Sequence, residues 1–281
     1  MIPYRIPELA TKYIAYDMIH RYTGLPPFSE ARTRLLYAAL AVEPAAAEHS
    51  ELYALVVGLL QLGLDTHDWI DTDRDAGSEV EMRSRQMKVL GGDYFSGRFY
   101  HLLAQAGQRE RIHKLSEAVC EINRLKMDHY VDMQRAQIDS ERYIGYGVAQ
   151  RSALLLAFAD LVSGETASRW QELVEIVSRA ELLAAELDRL HDEVGFHWGL
   201  GYWMLLEEQR ADGRGESVEL HPAYRASAYG RLCDELRRTV ALLHDEADRL
   251  PDERLADELR RIGELLLATL AVPAPAFNET R

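Results

Sequence analysis

Cysteine is nearly absent: Cys120 and Cys233 are the only two. A disulfide framework is excluded as the main source of stability, and a reducing compartment, the cytoplasm, is expected. An excess of positive charge is also lacking. Lys and Arg number 32 against 46 Asp and Glu, a net charge of −14. No broad basic face is available for nucleic acid or an anionic membrane, although a small basic pocket remains compatible. Long apolar runs are missing too. The longest strongly apolar uncharged stretch, Leu52–Leu64, falls short of the ~18–20 residues that cross a bilayer. It predicts a helix buried on all sides. Met1–Ile6 has no signal-peptide apolar block, so no targeting segment is expected. Proline is absent from Ala45 to His221, and since it costs ~3 kcal/mol inside a helix, its absence suits a run of long helices. Strand alternation, Asn-Gly hairpin signals, solenoid repeats and linker-like composition are lacking as well.

What is present is ordinary for a folded chain: 47% hydrophobic and 28% charged residues, too much apolar surface for disorder. The expectation is a single all-α domain over 1–281, with N-terminal helices to residue 44, a bundle over 45–270 and a fraying tail over 271–281. Helices are expected over Ile6–Tyr22 and Ser29–Val42, then over about Ala45–Ile70, with Asp71–Gly77 as a polar loop. Ser78-Glu79-Val80-Glu81 is a capping box, which starts a helix running to about Ala106. Arg109–Gln134 follows, then a helix capped by Asp139 or Ser140 and running to Val162. Thr166–Leu190 is strongly periodic, and helix continues over His191–Gln209 with a break near Gly195. Tyr224–Leu250 and Asp252–Leu270 close the chain around Pro251.

The densest polar constellation follows the most apolar helix: Asp65-Thr66-His67-Asp68-Trp69-Ile70-Asp71-Thr72-Asp73. Residues three or four apart share a helix face, so Asp65 with Asp68, Asp68 with Asp71 and His67 with Asp71 can present together. Carboxylates at a helix end suit Mg²⁺, which takes few carboxylates plus waters and substrate phosphates; a solvated acidic loop is the competing reading. Next, Arg83, Arg85 and Lys88 stand at spacings that suit a diphosphate. Gly91 and Gly92 inside a helix imply close packing or cavity space. Tyr94, Phe95, Phe99 and Tyr100 crowd more than one side of the same helix, and the surplus face suggests a partner or an apolar ligand. Trp198, Tyr202 and Trp203 form a second aromatic group, read as core, cavity wall or partner surface.

The order of an apolar helix, His67-Asp68-Trp69-Ile70-Asp71 and then Val89-Leu90-Gly91-Gly92-Asp93-Tyr94-Phe95-Ser96-Gly97 resembles the trans-prenyl diphosphate synthases. There a helix ending in Asp-Asp-x-x-Asp is followed by a Leu-Ala-Gly-Asp-Tyr segment. More specifically, Leu52–Asp68 and Arg83–Ala104 resemble the small subunit, component I, of two-component heptaprenyl diphosphate synthases. Glu141–Tyr143 through Arg151–Ala153, and Tyr229–Leu270 with Arg249-Leu250-Pro251, resemble later helices of the same superfamily. The resemblance implies the isoprenoid-synthase bundle. Its departures are as informative. With Asp71 aligned, the first Asp of the motif falls on His67, leaving Asp68 and Asp71 as the remaining metal candidates. The Arg-Arg-Gly that follows the motif in catalytic members is absent. Residues 188–200 carry no second Asp-Asp-x-x-Asp.

In that superfamily two facing carboxylate clusters hold Mg²⁺ on the allylic diphosphate. The resemblance therefore implies a subunit with no catalytic residues and no cofactor of its own. Mg²⁺ and the chemistry would belong to a catalytic component II in a heterodimer, acting on isoprenoid diphosphates to make the heptaprenyl chain of menaquinone. Two other readings compete. The His-Asp pairs at His67, His191 and His244 suit a metal-dependent phosphohydrolase of the HD type, with His20 or His49 upstream. An interaction-only helical protein accounts for the lack of a complete catalytic set, though not for the motif order.

Overall fold

The computed structural model describes residues 3–15, 19, 24–70, 78–190, 199–211 and 222–271. Among these, every regular element is helical: α1 (Ile6–Ile14), α2 (Glu30–Ala41), α3 (Ser50–Asp68), α4 (Glu79–Gln105), α5 (Arg109–Gln134), α6 (Ser140–Leu156), α7 (Gly164–Arg189), α8 (Leu200–Ala211), α9 (Pro222–Ala247) and α10 (Glu253–Leu267). The packing divides the chain into two compact units. One holds residues 1–117 with 157–163, and the other holds 118–156 with 164–281. The boundary falls inside α5.

Local chemistry sets several of the ends. Ser78 Oγ accepts from the Glu81 backbone N–H at 3.3 Å, and Glu81 Oε2 accepts from the Ser78 N–H at 3.2 Å, the reciprocal box that the sequence predicts for α4. Asp252 caps α10 by accepting from the Arg254 and Leu255 N–H groups. Helix α1 ends at Ile14, where Ala15 leaves helical backbone; Ile19 is again helical, and residues 16–18 and 20–22 of the helix expected to Tyr22 lie outside the described residues. The helix expected to run to Val162 ends at Leu156 instead. Arg111, almost fully buried, donates to the Ala157 carbonyl at 3.0 Å and grips Asp160, diverting the backbone into a 3₁₀ turn over Ala159–Leu161. Tertiary capture of one carbonyl overrides local propensity there.

In the first unit, α3 lies against α4 along much of its length and against α2 and α1. Its run from Tyr53 to Leu64 is buried throughout, as its composition predicts. Leu55, Leu59 and Leu62 meet Ile6, Tyr37 and Phe95 in one core cluster, each contributing ~1.5–3 kcal/mol by removal from water. The α3–α4 contact is close because it is built on glycine. A Cβ on Gly63 would stand 2.5 Å from Ser96 Oγ and 2.9 Å from the Gly92 carbonyl oxygen. In the second unit, α7 packs on α6 and α9, α10 on α9, and α8 on α6 and α9. Buried Glu186 on α7 accepts from the Tyr143 hydroxyl at 2.9 Å and from the Leu200 N–H at 2.7 Å, tying α6 and the start of α8 to α7. Glu246 on α9, also buried, takes Arg169 of α7 and Arg249.

Candidate functional site

The site that the sequence singles out lies at the carboxyl end of α3 and beside the middle of α4. Helix α3 is apolar from Leu52 to Leu60, then delivers Asp65, His67 and Asp68 within its last turn and a half. Gln61 explains the first of these. Its carbonyl oxygen accepts from Arg32 Nη1 of α2 at 2.8 Å, so its amide points the other way and donates to Asp65 Oδ1 at 2.6 Å. A buried cation is thus relayed through a neutral amide to a carboxylate near the helix end, and fixes its direction. Motif reading missed both Arg32 and Gln61. The signal available was one arginine and one glutamine inside apolar segments that the structure buries, where a polar group must be bonded.

His67 lies across α4. Its Nε2 stands 3.4 Å from Asp93 Oδ1, and its ring fills the space over Gly92, where a Cβ would come within 2.6 Å of it. The residue in the place of the motif's first Asp therefore contacts the neighbouring helix, in a pocket that only glycine leaves open. Asp68 is the last residue of α3 and is exposed. Asp71 lies outside the described residues.

The three expected cations separate. Lys88 comes to this end of α3, its Nζ donating to the Trp69 carbonyl at 2.9 Å, a favourable place for a cation beside the carbonyl-rich end of a helix. Arg83 instead pairs with Glu79 on its own surface at 2.5 Å, and Arg85 is half-buried. Among the described residues no three His, Cys, Asp or Glu side chains converge as a metal-holding group. Around the end of α3, Asp65 accepts from the Gln61 amide and the His67 imidazole faces Asp93. The HD-type reading finds no metal set among these residues either, and His20 and His191 lie outside them.

The aromatic set divides by depth. Phe95 is a core residue with 0% exposure, and Trp203 is likewise buried, its ring edge-on to half-buried Tyr202 at 5.3 Å. Phe95 does not supply the outward surface expected of the α4 aromatics, because α4 turns it inward, and Trp203 takes the core alternative given for its group. Tyr94 is half-buried beneath the Arg98 guanidinium, 4.5 Å from its ring centroid. Phe99 is half-buried against Tyr100, which is 58% exposed. Trp198 lies outside the described residues.

Helix α4 exposes further large apolar residues that the sequence reading did not mark. Met82, Val89 and Leu90 are all exposed on α4. Met82, Val89 and Tyr100 recur at steps of seven and eleven residues, which at ~100° per residue places them within roughly 20° of one line. Gly97, between Leu90 and Tyr100, has nothing within 4 Å of where its Cβ would be. Unlike Gly63 and Gly92, no contact among the described residues accounts for it.

A family model of heptaprenyl diphosphate synthase (HEPPP synthase) subunit 1 matches residues 16–195. Heptaprenyl diphosphate synthase component 1 of Geobacillus stearothermophilus is 38% identical over 115 residues, which cover 41% of this chain. The aligned part spans about half of that relative, 49%. Among solved structures, geranylgeranyl pyrophosphate synthase from Lactobacillus brevis is similar with a TM-score of 0.66 at 14% identity over 94% of both chains. Decaprenyl diphosphate synthase from Rhodobacter capsulatus is similar with a TM-score of 0.64, also at 14% identity over 94% of both chains. Those two likenesses establish the all-α isoprenoid synthase fold. With the motif order on α3 and α4 and the match over most of its length, the chain belongs to the heptaprenyl diphosphate synthase subunit 1 family.

Proposed function

We propose that this chain is the non-catalytic subunit of a two-component heptaprenyl diphosphate synthase. It pairs in the cytoplasm with a catalytic component II, which condenses isopentenyl diphosphate onto farnesyl diphosphate to make the menaquinone side chain. The observation that carries this reading is His67. In the place of a metal-ligating Asp, it is turned onto Asp93 and packed against Gly92. Mg²⁺ and allylic ionisation then fall to the partner, and this subunit supports the partner's active conformation and helps set product length. The outward line of α4, with Met82, Val89 and Tyr100, and Leu90 and open Gly97 to one side of it, is the face offered to component II. Exposed aromatic and large apolar side chains around a small residue are usual anchors of a protein interface.

The test is reconstitution. With Mg²⁺ and both diphosphates, the purified chain alone is expected to form no long-chain product. Addition of component II, itself weakly active or inactive alone, is expected to restore elongation. Long-chain product from this chain free of any partner would overturn the reading.

A further inference from the structure

The second unit carries a groove between α6 and α7 that the synthase reading does not use. It is a shallow, open trough with room for about 410 Å³. Its floor is apolar, made by buried Ile144 with Val148 and Ile176. On α6 these residues and their neighbours recur at three- and four-residue steps over two turns, the spacing that receives one face of another helix. Gly145 lies in the middle of α6, exposed, with nothing within 4 Å of where its Cβ would be. Glycine inside a helix costs about 1 kcal/mol relative to alanine. Here no contact among the described residues repays that cost, whereas Gly147, two residues on, is needed because a Cβ would strike Leu182 at 2.7 Å. An open glycine followed by Ala149 one turn later leaves room for another backbone to approach α6.

The rim is acidic. Glu172 and Glu175 stand one turn apart on α7, and Glu141 on α6. The single cation, Arg179, is 3.7 Å from Glu141 and 3.8 Å from Glu235, so its charge is answered by the chain's own carboxylates.

We infer that this groove docks an amphipathic helix of a partner protein, with an apolar face seated on Ile144, Val148 and Ile176 and Lys or Arg flanks against Glu172 and Glu175. Charge complementarity chooses this occupant over an acidic or neutral helix. A second copy of this chain, at net charge −14, would add like charge to the rim. The inference is independent of the pairing proposed for α4, which belongs to the other unit.

The experiment uses the full chain and a fluorescent synthetic helix of roughly four turns, Leu on one face and Lys on its flanks, followed by anisotropy. Saturable binding is expected for the wild type. Gly145→Met adds a flexible side chain to the groove, from a Cβ position with open space around it, and keeps the charge. It should weaken binding at least ~10-fold, the equivalent of about 1.4 kcal/mol, with the melting temperature held or raised. Glu172→Lys with Glu175→Lys should weaken it similarly, and a peptide with Glu in place of Lys should not bind. Equal binding by wild type and Gly145→Met would reduce the effect to general attraction by an acidic chain and overturn the inference. So would the absence of saturable binding up to ~1 mM, or spermine binding with the same Gly145 dependence when the helix does not bind.

Discussion

At the residue scale, the exchange of an Asp for His67 changes both chemistry and packing. His67→Asp would set a second carboxylate against Asp93 and withdraw the ring from the Gly92 surface. A loss of about 1 kcal/mol in urea unfolding is expected from like-charge proximity and lost contact. Catalysis is not expected to appear, because residues 188–200 still carry no second Asp-Asp-x-x-Asp. Release of diphosphate from farnesyl diphosphate by the variant alone would show that a second cluster exists elsewhere. Gly63→Ala is the more damaging change. The atoms it would meet include the Gly92 carbonyl and the Ser96 amide nitrogen at 2.9 and 3.0 Å. Backbone cannot rotate aside, so a cost near the top of the usual ~1–3 kcal/mol for overpacking is expected in the same assay. His129 supplies a pH dependence. Its ring stacks on Tyr146 at 5.0 Å and meets Tyr143 edge-on at 4.8 Å. Burial, outweighing the nearby Asp132 carboxylate and aided by Arg151 and Arg189, pushes its pKa down to about 4. The unfolded chain, with an imidazole pKa of about 6.5, therefore takes the proton first as the pH falls. The stabilisation is complete above the unfolded value and declines as the pH drops from there towards 4. Urea midpoints across that window should fall in the wild type and fall less in His129→Phe. Parallel declines would remove His129 as the cause.

At the scale of the element, α4 separates what pattern can and cannot tell. Its start was legible, since a capping box is local chemistry among four consecutive residues. The depth of its aromatics was not, because four rings spread around a helix give no sign of which side has a neighbour. Phe95 went to the core and Tyr100 to the surface because α3 covers one side only. Two substitutions should therefore behave oppositely. Phe95→Ala is expected to cost about 3–5 kcal/mol of stability, as for other buried aromatic truncations, and to act on partner binding only through lost fold. Tyr100→Ala should leave thermal unfolding unchanged while weakening component II at least ~10-fold, the threshold of an energetically important interface contact. Gly97→Ala sharpens the comparison. With open space around it, the isolated chain should gain up to ~1 kcal/mol from helix propensity, whereas a partner packed close to that backbone should bind less well. If calorimetry finds undiminished affinity for both Tyr100→Ala and Gly97→Ala, the heterodimer face is not on this line of α4.

At the scale of the whole molecule, binding should appear as stability. A partner at one hundred times its Kd adds ~2.7 kcal/mol to the native state by mass action, so the melting temperature of this chain should rise with component II concentration. A melt indifferent to the partner would speak against a heterodimer. The sequence by itself determined the helical class, the order of α3 and α4, the capping of α4 and the lapse of the first Asp-rich motif at His67. All are carried by residues near one another along the chain, through spacing, caps and the absence of proline. Only the tertiary structure decided that His67 turns to Asp93, that Arg32 orients Asp65 through Gln61, that Lys88 reaches the end of α3 while Arg83 does not, and which glycines are filled and which lie open. Those outcomes depend on which helix surface is covered by another, and residues far apart in sequence carry no local signal of the partner that packing will give them.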